Sequence, residues 1–186
     1  MIGPSCSGKS TTARRLATIL GVPYIELDAL HHDAGWTEAP AEVFQQRVRA
    51  ALAAAPDGWV VDGNYFGKLG TIVLDQADTI VWLDIPYGTA IRRVLWRTSR
   101  RAFTRVELWN GNRESFRLAF SRDSIVLWVL RTHRAFEAKW LPRLEGRNVV
   151  RVRDAGAWLQ SIQATESMSG SSNASELQKT PPFVET

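Results

Sequence analysis

Residues 3–11 read Gly3, Pro4, Ser5, Cys6, Ser7, Gly8, Lys9, Ser10 and Thr11, and this stretch, GPSCSGKST, decides the fold. Its first eight residues match the phosphate-binding pattern G-x-x-x-x-G-K-[ST]. Gly3 and Gly8 permit backbone angles that turn successive N–H groups into one concave nest for phosphate oxygens. In that pattern Lys9 reaches the β and γ oxygens, the Ser10 hydroxyl ligates Mg²⁺, and Thr11 stands within reach of the α-phosphate. The spacing therefore predicts a site for ATP and Mg²⁺ built from residues 3–11.

Working outward, Ala13, Leu16, Ala17 and Leu20 recur at helical spacing and Gly21 follows where a helix C-cap belongs, so a helix is expected over residues 9–20 with its N-terminus at the phosphates. Residues 23–27 read as a short strand ending in Asp28, and the irregular HHDAGWTEAP leads into a helix with Phe44, Val48, Ala51, Leu52 and Ala55 on one face. Residues 59–61 form the next expected strand, which runs into the polar turn Asp62, Gly63, Asn64, Tyr65. TIVWLD at 79–84 reads as a buried strand stopped by Pro86, and Ala90, Ile91, Val94 and Leu95 open an arginine-rich helix. Periodicity fades over 98–113. A helix is expected again over 123–139, a strand over 148–152 and a last helix from Ala157.

Strands alternating with helices imply a three-layer α/β fold, a parallel sheet covered on both faces, with ligands at the C-terminal ends of the strands. A phosphate loop hangs between a buried strand and a helix, yet only Met1 and Ile2 precede Gly3. Five missing apolar strand residues, at about 1.5–3 kcal/mol each, would remove roughly the whole stability of a typical domain. The first strand is therefore expected to be truncated, with residues upstream of Met1 left out.

The chain of 186 residues suits one such domain over 1–162, and the Ser-, Gly- and Pro-containing residues 163–186 are expected to be a disordered tail. The longest uninterrupted apolar run, residues 125–130, is six residues long and cannot span a bilayer. No secretory signal pattern precedes the loop, and the single cysteine, Cys6, suits a reducing compartment, so a cytoplasmic protein without membrane attachment is expected. Residues 161–186 sum to −2 of the formal net charge of +4, which leaves a basic body of +6. Nine arginines fall within residues 92–122 against Glu107 and Glu114 alone, a stretch that calls for an anionic partner.

Several side chains are candidates for chemistry. Asp62, at a strand end, is placed either to hold Mg²⁺ opposite Ser10 and orient the attacking group, or simply to form a turn before glycine. Asp28 accepts a hydrogen bond from a substrate hydroxyl or caps the following turn. Asp84, before Pro86, reads as strand termination. His31, His32 and Asp33 have the composition of a metal site, but adjacent histidines do not share a face, so solvated loop residues or substrate contacts are expected. Within the basic segment, Arg97, Arg101, Arg105 and Arg113 are the candidates for a lid, about 97–115, that closes over the transferring phosphoryl group. The same charges with Trp96, Phe103 and Trp109 would alternatively suit nucleic acid, and a solvated helix face is the plainest reading.

Together, GPSCSGKST, IELDALHH, GW, VVDGNY, ADTIVWLDIP, ELWNGNRES and RDSIVLWVLRTH resemble the bacterial adenylate-kinase-like P-loop proteins often labelled topology-modulation, or FlaR-type, proteins. The resemblance runs from Gly3 to about Leu159. It implies a nucleoside- or nucleotide-kinase fold with sheet order 2-3-1-4-5, ATP on residues 3–11, an acceptor site near Asp28, Asp62, Asn64 and Tyr65, and a lid over 97–113. DGNY stands where adenylate kinases carry a DGFPR-like turn, so the arginine that turn offers to a nucleotide acceptor is missing, which counts against AMP. The expected activity is transfer of the γ-phosphoryl of MgATP to a small-molecule acceptor. The alternatives are a nucleic-acid-associated ATPase and a nucleotide-binding regulator.

Overall fold

The computed structural model describes the backbone of residues 1–104 and 125–177, and the side chains of 1–96 and 135–168. The short strands β1 (Tyr24–Glu26) and β4 (Val60–Asp62) pair in parallel, with Glu26 beside Asp62. A second parallel pair joins β5 (Ile80–Leu83) to β6 (Val149–Val152). Residues 1–2 connect the two pairs. The Met1 amine donates to the Val61 carbonyl and the Gly63 N–H to the Met1 carbonyl, while the Ile2 N–H donates to Val81 and the Leu83 N–H to Ile2. Residues 1–2 thus fill the place, between β4 and β5, of the strand expected ahead of the phosphate loop.

Alternation along the buried strands sorts the core into layers, because successive side chains leave opposite faces of a sheet. Val61 packs with Ile25, Phe44, Val48 and Leu52, so its face is covered by α3 (Ala41–Ala53). Val60 packs instead with Ala13, Leu16, Ala17 and Leu159, which belong to α1 (Lys9–Leu20) and α7 (Ala155–Leu177). In β5, Ile80 and Trp82 meet Trp140 and Leu144 of α6 (Ile125–Leu144), whereas Val81 and Leu83 lie against Val152 and Trp158. The result is helices on both faces of parallel strands. α5 (Tyr87–Thr104) seats Ala90 and Val94, both fully buried, on Ile85 and Cys6, and so lies against the phosphate loop.

Three local expectations change. Asp28 does not end a strand: residues Leu27–His31 form a short helix, α2, and the segment read as irregular contains the two-residue strands β2 (His32–Asp33) and β3 (Thr37–Glu38), paired antiparallel. A further helical turn, α4 (Phe66–Leu69), follows the Asp62 turn. The helix expected to give way to disorder at residue 163 continues to Leu177, although Gln163 to Met168 are exposed. Extending a helix already nucleated by packed residues such as Trp158 and Leu159 adds a hydrogen bond per residue at little cost, even where composition gives nothing to bury. Residues 178–186 of the expected tail lie outside the described residues. Among the described residues no helix is long and apolar enough to cross a membrane.

Phe44 is completely buried between β4 and the α2–α4 layer, with its ring 4.8 Å from that of His31 and 5.1 Å from that of Tyr65. Phe44→Ala should lower stability by about 3–5 kcal/mol, read as a fall in the urea midpoint without a change in slope.

Candidate functional site

Residues 3–8 leave the sheet directly after Ile2, between the C-terminal ends of β4 and β5. Gly3 has φ 153°, and a Cβ there would lie 2.7 Å from the Leu83 carbonyl oxygen, so only glycine lets the loop pass this close to β5. Cys6 (φ 63°) and Gly8 (φ 93°) adopt left-handed backbone, which folds the intervening peptides into the expected concave loop. α1 starts at Lys9, with the Thr12 N–H bonded back to the Gly8 carbonyl. The Lys9 ammonium lies across the loop and donates to the Pro4 carbonyl at 3.1 Å.

The turn after β4 closes on this loop. Asn64 Nδ2 donates to the Gly3 carbonyl at 2.6 Å, and the Gly3 N–H faces Asn64 Oδ1 at 3.4 Å. The Ser10 hydroxyl donates to Asp62 Oδ2 at 2.5 Å, and the Tyr24 hydroxyl approaches the same oxygen at 3.4 Å. Asp62 is only 4% exposed, and its Oδ1 is buried without a hydrogen-bond partner. A buried carboxylate oxygen with no donor is costly unless something positive completes it. The serine and aspartate expected to share Mg²⁺ are therefore side by side, with one oxygen left over, and this donor set of hydroxyl and carboxylate suits a hard cation that keeps part of its water. Burial, then the Asp62 and Glu26 carboxylates, push the Tyr24 hydroxyl far above its ordinary pKa, which marks the same surroundings as negative.

A second group lies beyond the ends of β1 and β4. The Tyr65 hydroxyl donates to Asp28 Oδ1 at 2.5 Å and stands 3.4 Å from His32 Nε2. Gly63 permits this, since a Cβ on it would meet Leu27 Cβ at 2.8 Å. Burial first, then Asp28, raise the Tyr65 pKa, so the phenol stays protonated and donating. His31 is not a solvated loop residue. It is 2% exposed, packed against Phe44 and Tyr65, with its Nε2 facing the Lys68 ammonium at 3.2 Å and the Glu38 carboxylate at 3.7 Å. Asp33 pairs with Arg47 at 2.9 Å, and Asp84 accepts from Arg151 at 2.9 Å at the far edge of the sheet.

Neither the protein-family models nor the curated proteins give a match. Among solved structures, the shikimate kinase from Bacteroides thetaiotaomicron matches with a TM-score of 0.50 and 13% identity, covering 89% of this chain and 94% of that one. The chain has a P-loop kinase fold.

Of the expected site residues, the structure brings together Gly3, Lys9, Ser10, Asp62 and Asn64 around the loop, and Asp28 with Tyr65 beside it. Ser5 is part-exposed on the loop, whereas Ser7 is buried against Gly3, and a Gly3 Cβ would lie 3.0 Å from its hydroxyl. Arg97 and Arg101 fall on the backbone of α5, and Arg105 and Arg113 lie outside the described residues. The arginine seen on the loop is Arg93, which was not singled out: its guanidinium donates to the Ser7 carbonyl at 2.8 Å. It sits one helical turn before Arg97, and that four-residue spacing was the available signal. Tyr24 was also passed over, although it opens the strand whose last residue pairs with Asp62.

The His31 imidazole is held below its ordinary pKa of 6.5, by burial first and then by Lys68 and His32, against smaller opposing effects of Glu38 and Asp33. As pH falls past 6.5 the unfolded chain takes up a proton that the native protein refuses, so stability rises with pH in this window and falls with acidification. Urea midpoints should decline between about pH 7 and about pH 5.5, the range in which histidine charges. His31→Phe should flatten that decline.

Proposed function

We propose that this chain is a MgATP-dependent phosphotransferase acting on a small molecule, and a member of the adenylate-kinase-like P-loop proteins that its motifs resemble. The observation that carries the reading is the 2.5 Å hydrogen bond from Ser10 to Asp62, with the second Asp62 oxygen buried and unpartnered, immediately beside the phosphate loop. Counting residues 1–2 as a first strand, their hydrogen bonds to Val61, Val81 and Leu83 support the order 2-3-1-4-5 expected of that family.

In this reading the loop N–H groups and the start of α1 bind the ATP phosphates. Lys9, once it exchanges the Pro4 carbonyl for phosphate oxygen, spreads the charge that collects on the transferring group. Ser10 and Asp62 would hold Mg²⁺, which when bound supplies charge neutralisation between the phosphates. Arg93 already lies on the loop and is placed to add a second cation there, with Arg97 and Arg101 further along the same helix. Asp28 orients the acceptor hydroxyl from the far side of Asp62.

Lys9→Ala should reduce acceptor-stimulated ADP formation by about 100- to 1,000-fold, the effect of losing one preorganised donor to developing charge. Asp62→Asn should instead raise the Mg²⁺ concentration needed for half-maximal ATP binding, measured by calorimetry across a Mg²⁺ series. Undiminished turnover by Lys9→Ala would refute the assignment. Arg93→Met, which retains the bulk without the charge, should weaken ATP binding by about tenfold, the scale of one charge-assisted hydrogen bond.

A further inference from the structure

The backbone of residues 1–3 alternates between its two neighbours. Met1 bonds to β4 through its amine and its carbonyl, to Val61 and Gly63, and Ile2 bonds to β5 in the same way, to Val81 and Leu83. Along a parallel ladder successive residues face opposite sides, so Gly3 faces β4 again. There β4 has already ended at Asp62, and Gly63 (φ 146°) turns the chain away. The side-chain amide of Asn64 takes the place of a further strand residue. Its Nδ2 donates to the Gly3 carbonyl at 2.6 Å, and the Gly3 N–H donates to Oδ1 at 3.4 Å. Flipping this amide would set donor against donor and acceptor against acceptor, so one orientation alone satisfies both pairs.

The effect reaches the phosphates through one rigid joint. The Gly3 carbonyl shares a planar peptide with the Pro4 nitrogen, and proline fixes the next backbone angle, so the amide that holds Gly3 also directs the Pro4 carbonyl. That carbonyl accepts the Ser7 N–H at 3.2 Å and the Lys9 ammonium at 3.1 Å, which closes the loop on itself. On its other side Gly3 has no slack, because a Cβ there would meet the Leu83 carbonyl oxygen at 2.7 Å. Resting on the phosphotransferase reading above, we propose that Asn64 is a positioning residue for the transfer step. Its amide stands in for a strand and sets the direction in which the loop N–H groups and Lys9 meet the phosphates.

In that step the acceptor oxygen bonds to the γ-phosphorus while the bond from that phosphorus to the β–γ bridging oxygen breaks. The bridging oxygen leaves in ADP with the electron pair, and the acceptor proton passes to solvent. Negative charge therefore grows on the bridging oxygen beside the loop. Donors whose directions are fixed beforehand stabilise such growing charge, whereas donors that must first be ordered stabilise it less. A diphosphate at rest tolerates a loosened loop by adjusting its own torsions. Asn64 thus matters more to the transferring group than to the bound nucleotide.

The test compares two affinities of the full chain by calorimetry: MgADP alone, and MgADP with aluminium fluoride, whose planar anion mimics the transferring phosphoryl group. Asn64→Leu keeps the branched shape without either hydrogen bond, and Asn64→Ala removes the amide altogether. Each should cut the affinity gained from aluminium fluoride by about tenfold, the scale of one to two neutral hydrogen bonds, and weaken MgADP alone by less than about threefold. The Mg²⁺ concentration for half-maximal MgADP binding should not move, since Ser10 and Asp62 are untouched. Urea titration is the folding control. An unchanged gain, an equal loss for both ligands, a shifted Mg²⁺ requirement, or no cooperative urea transition in either variant overturns the proposal and leaves the ATP site standing. Failure of the wild-type chain to bind MgADP, or to gain any affinity from aluminium fluoride, overturns the phosphotransferase reading itself.

Discussion

Three hydrogen bonds tie the phosphate loop to the turn after β4 across 61 and 52 residues of chain, two between Gly3 and Asn64 and one from Ser10 to Asp62. Everything else at the site depends on them. They fix where the loop leaves the sheet and where α1 begins, and they bring an aspartate from one strand against a serine from another part of the chain. The clearance behind Gly3 is so small that the loop has no room for any side chain there. A phosphate cradle works by fixed N–H directions, and such directions are worth most when they need no rearrangement on binding. The Asn64 side chain supplies that rigidity from outside the loop.

Around this anchor the surroundings divide by charge. On one side are the loop, Lys9 and Arg93, which favour anions. On the other stand the Asp28 and Asp62 carboxylates, with Arg14, Arg47 and Lys68 absorbed in pairs with Glu26, Asp33 and Glu38. Those exposed pairs add little stability in themselves. Their effect is to neutralise positive charge around Asp28 among the described residues.

Much of this could be read from the chain alone, for identifiable reasons. Gly3 and Gly8 stand where the loop's backbone takes positive φ, so its turn was legible in local sequence. Asp62 could be found because a polar residue ending an apolar strand lies where α/β folds bind ligands. Asn64 and Tyr65 were marked as substrate contacts, and their side chains hydrogen-bond to the loop and to Asp28 respectively. A single sequence shows that a residue stands in a turn but not which distant group it meets. His31 was misread for the same reason: two adjacent histidines look solvated until α2 turns one of them onto Phe44. Of nine arginines in the basic stretch Arg97, Arg101, Arg105 and Arg113 were singled out, and Arg93, one turn earlier, emerged because Ala90 and Val94 press that helix onto Cys6. Over residues 163–168 the side chains are exposed, but helix propagation does not require burial.

The continuity of the sheet passes through residues 1–2, which hydrogen-bond to β4 on one side and β5 on the other. The same backbone continues without a break into the phosphate loop. A ligand that grips the loop therefore also grips the seam between the two strand pairs, and its binding free energy is added to their cohesion, about 2.7 kcal/mol at a hundredfold excess over its Kd. Separation of the two halves and release of the ligand become one event. Amide hydrogens in β1 and β6, at opposite edges of the sheet, would then gain protection together when the loop is filled, and such a ligand would behave as a structural member of the core.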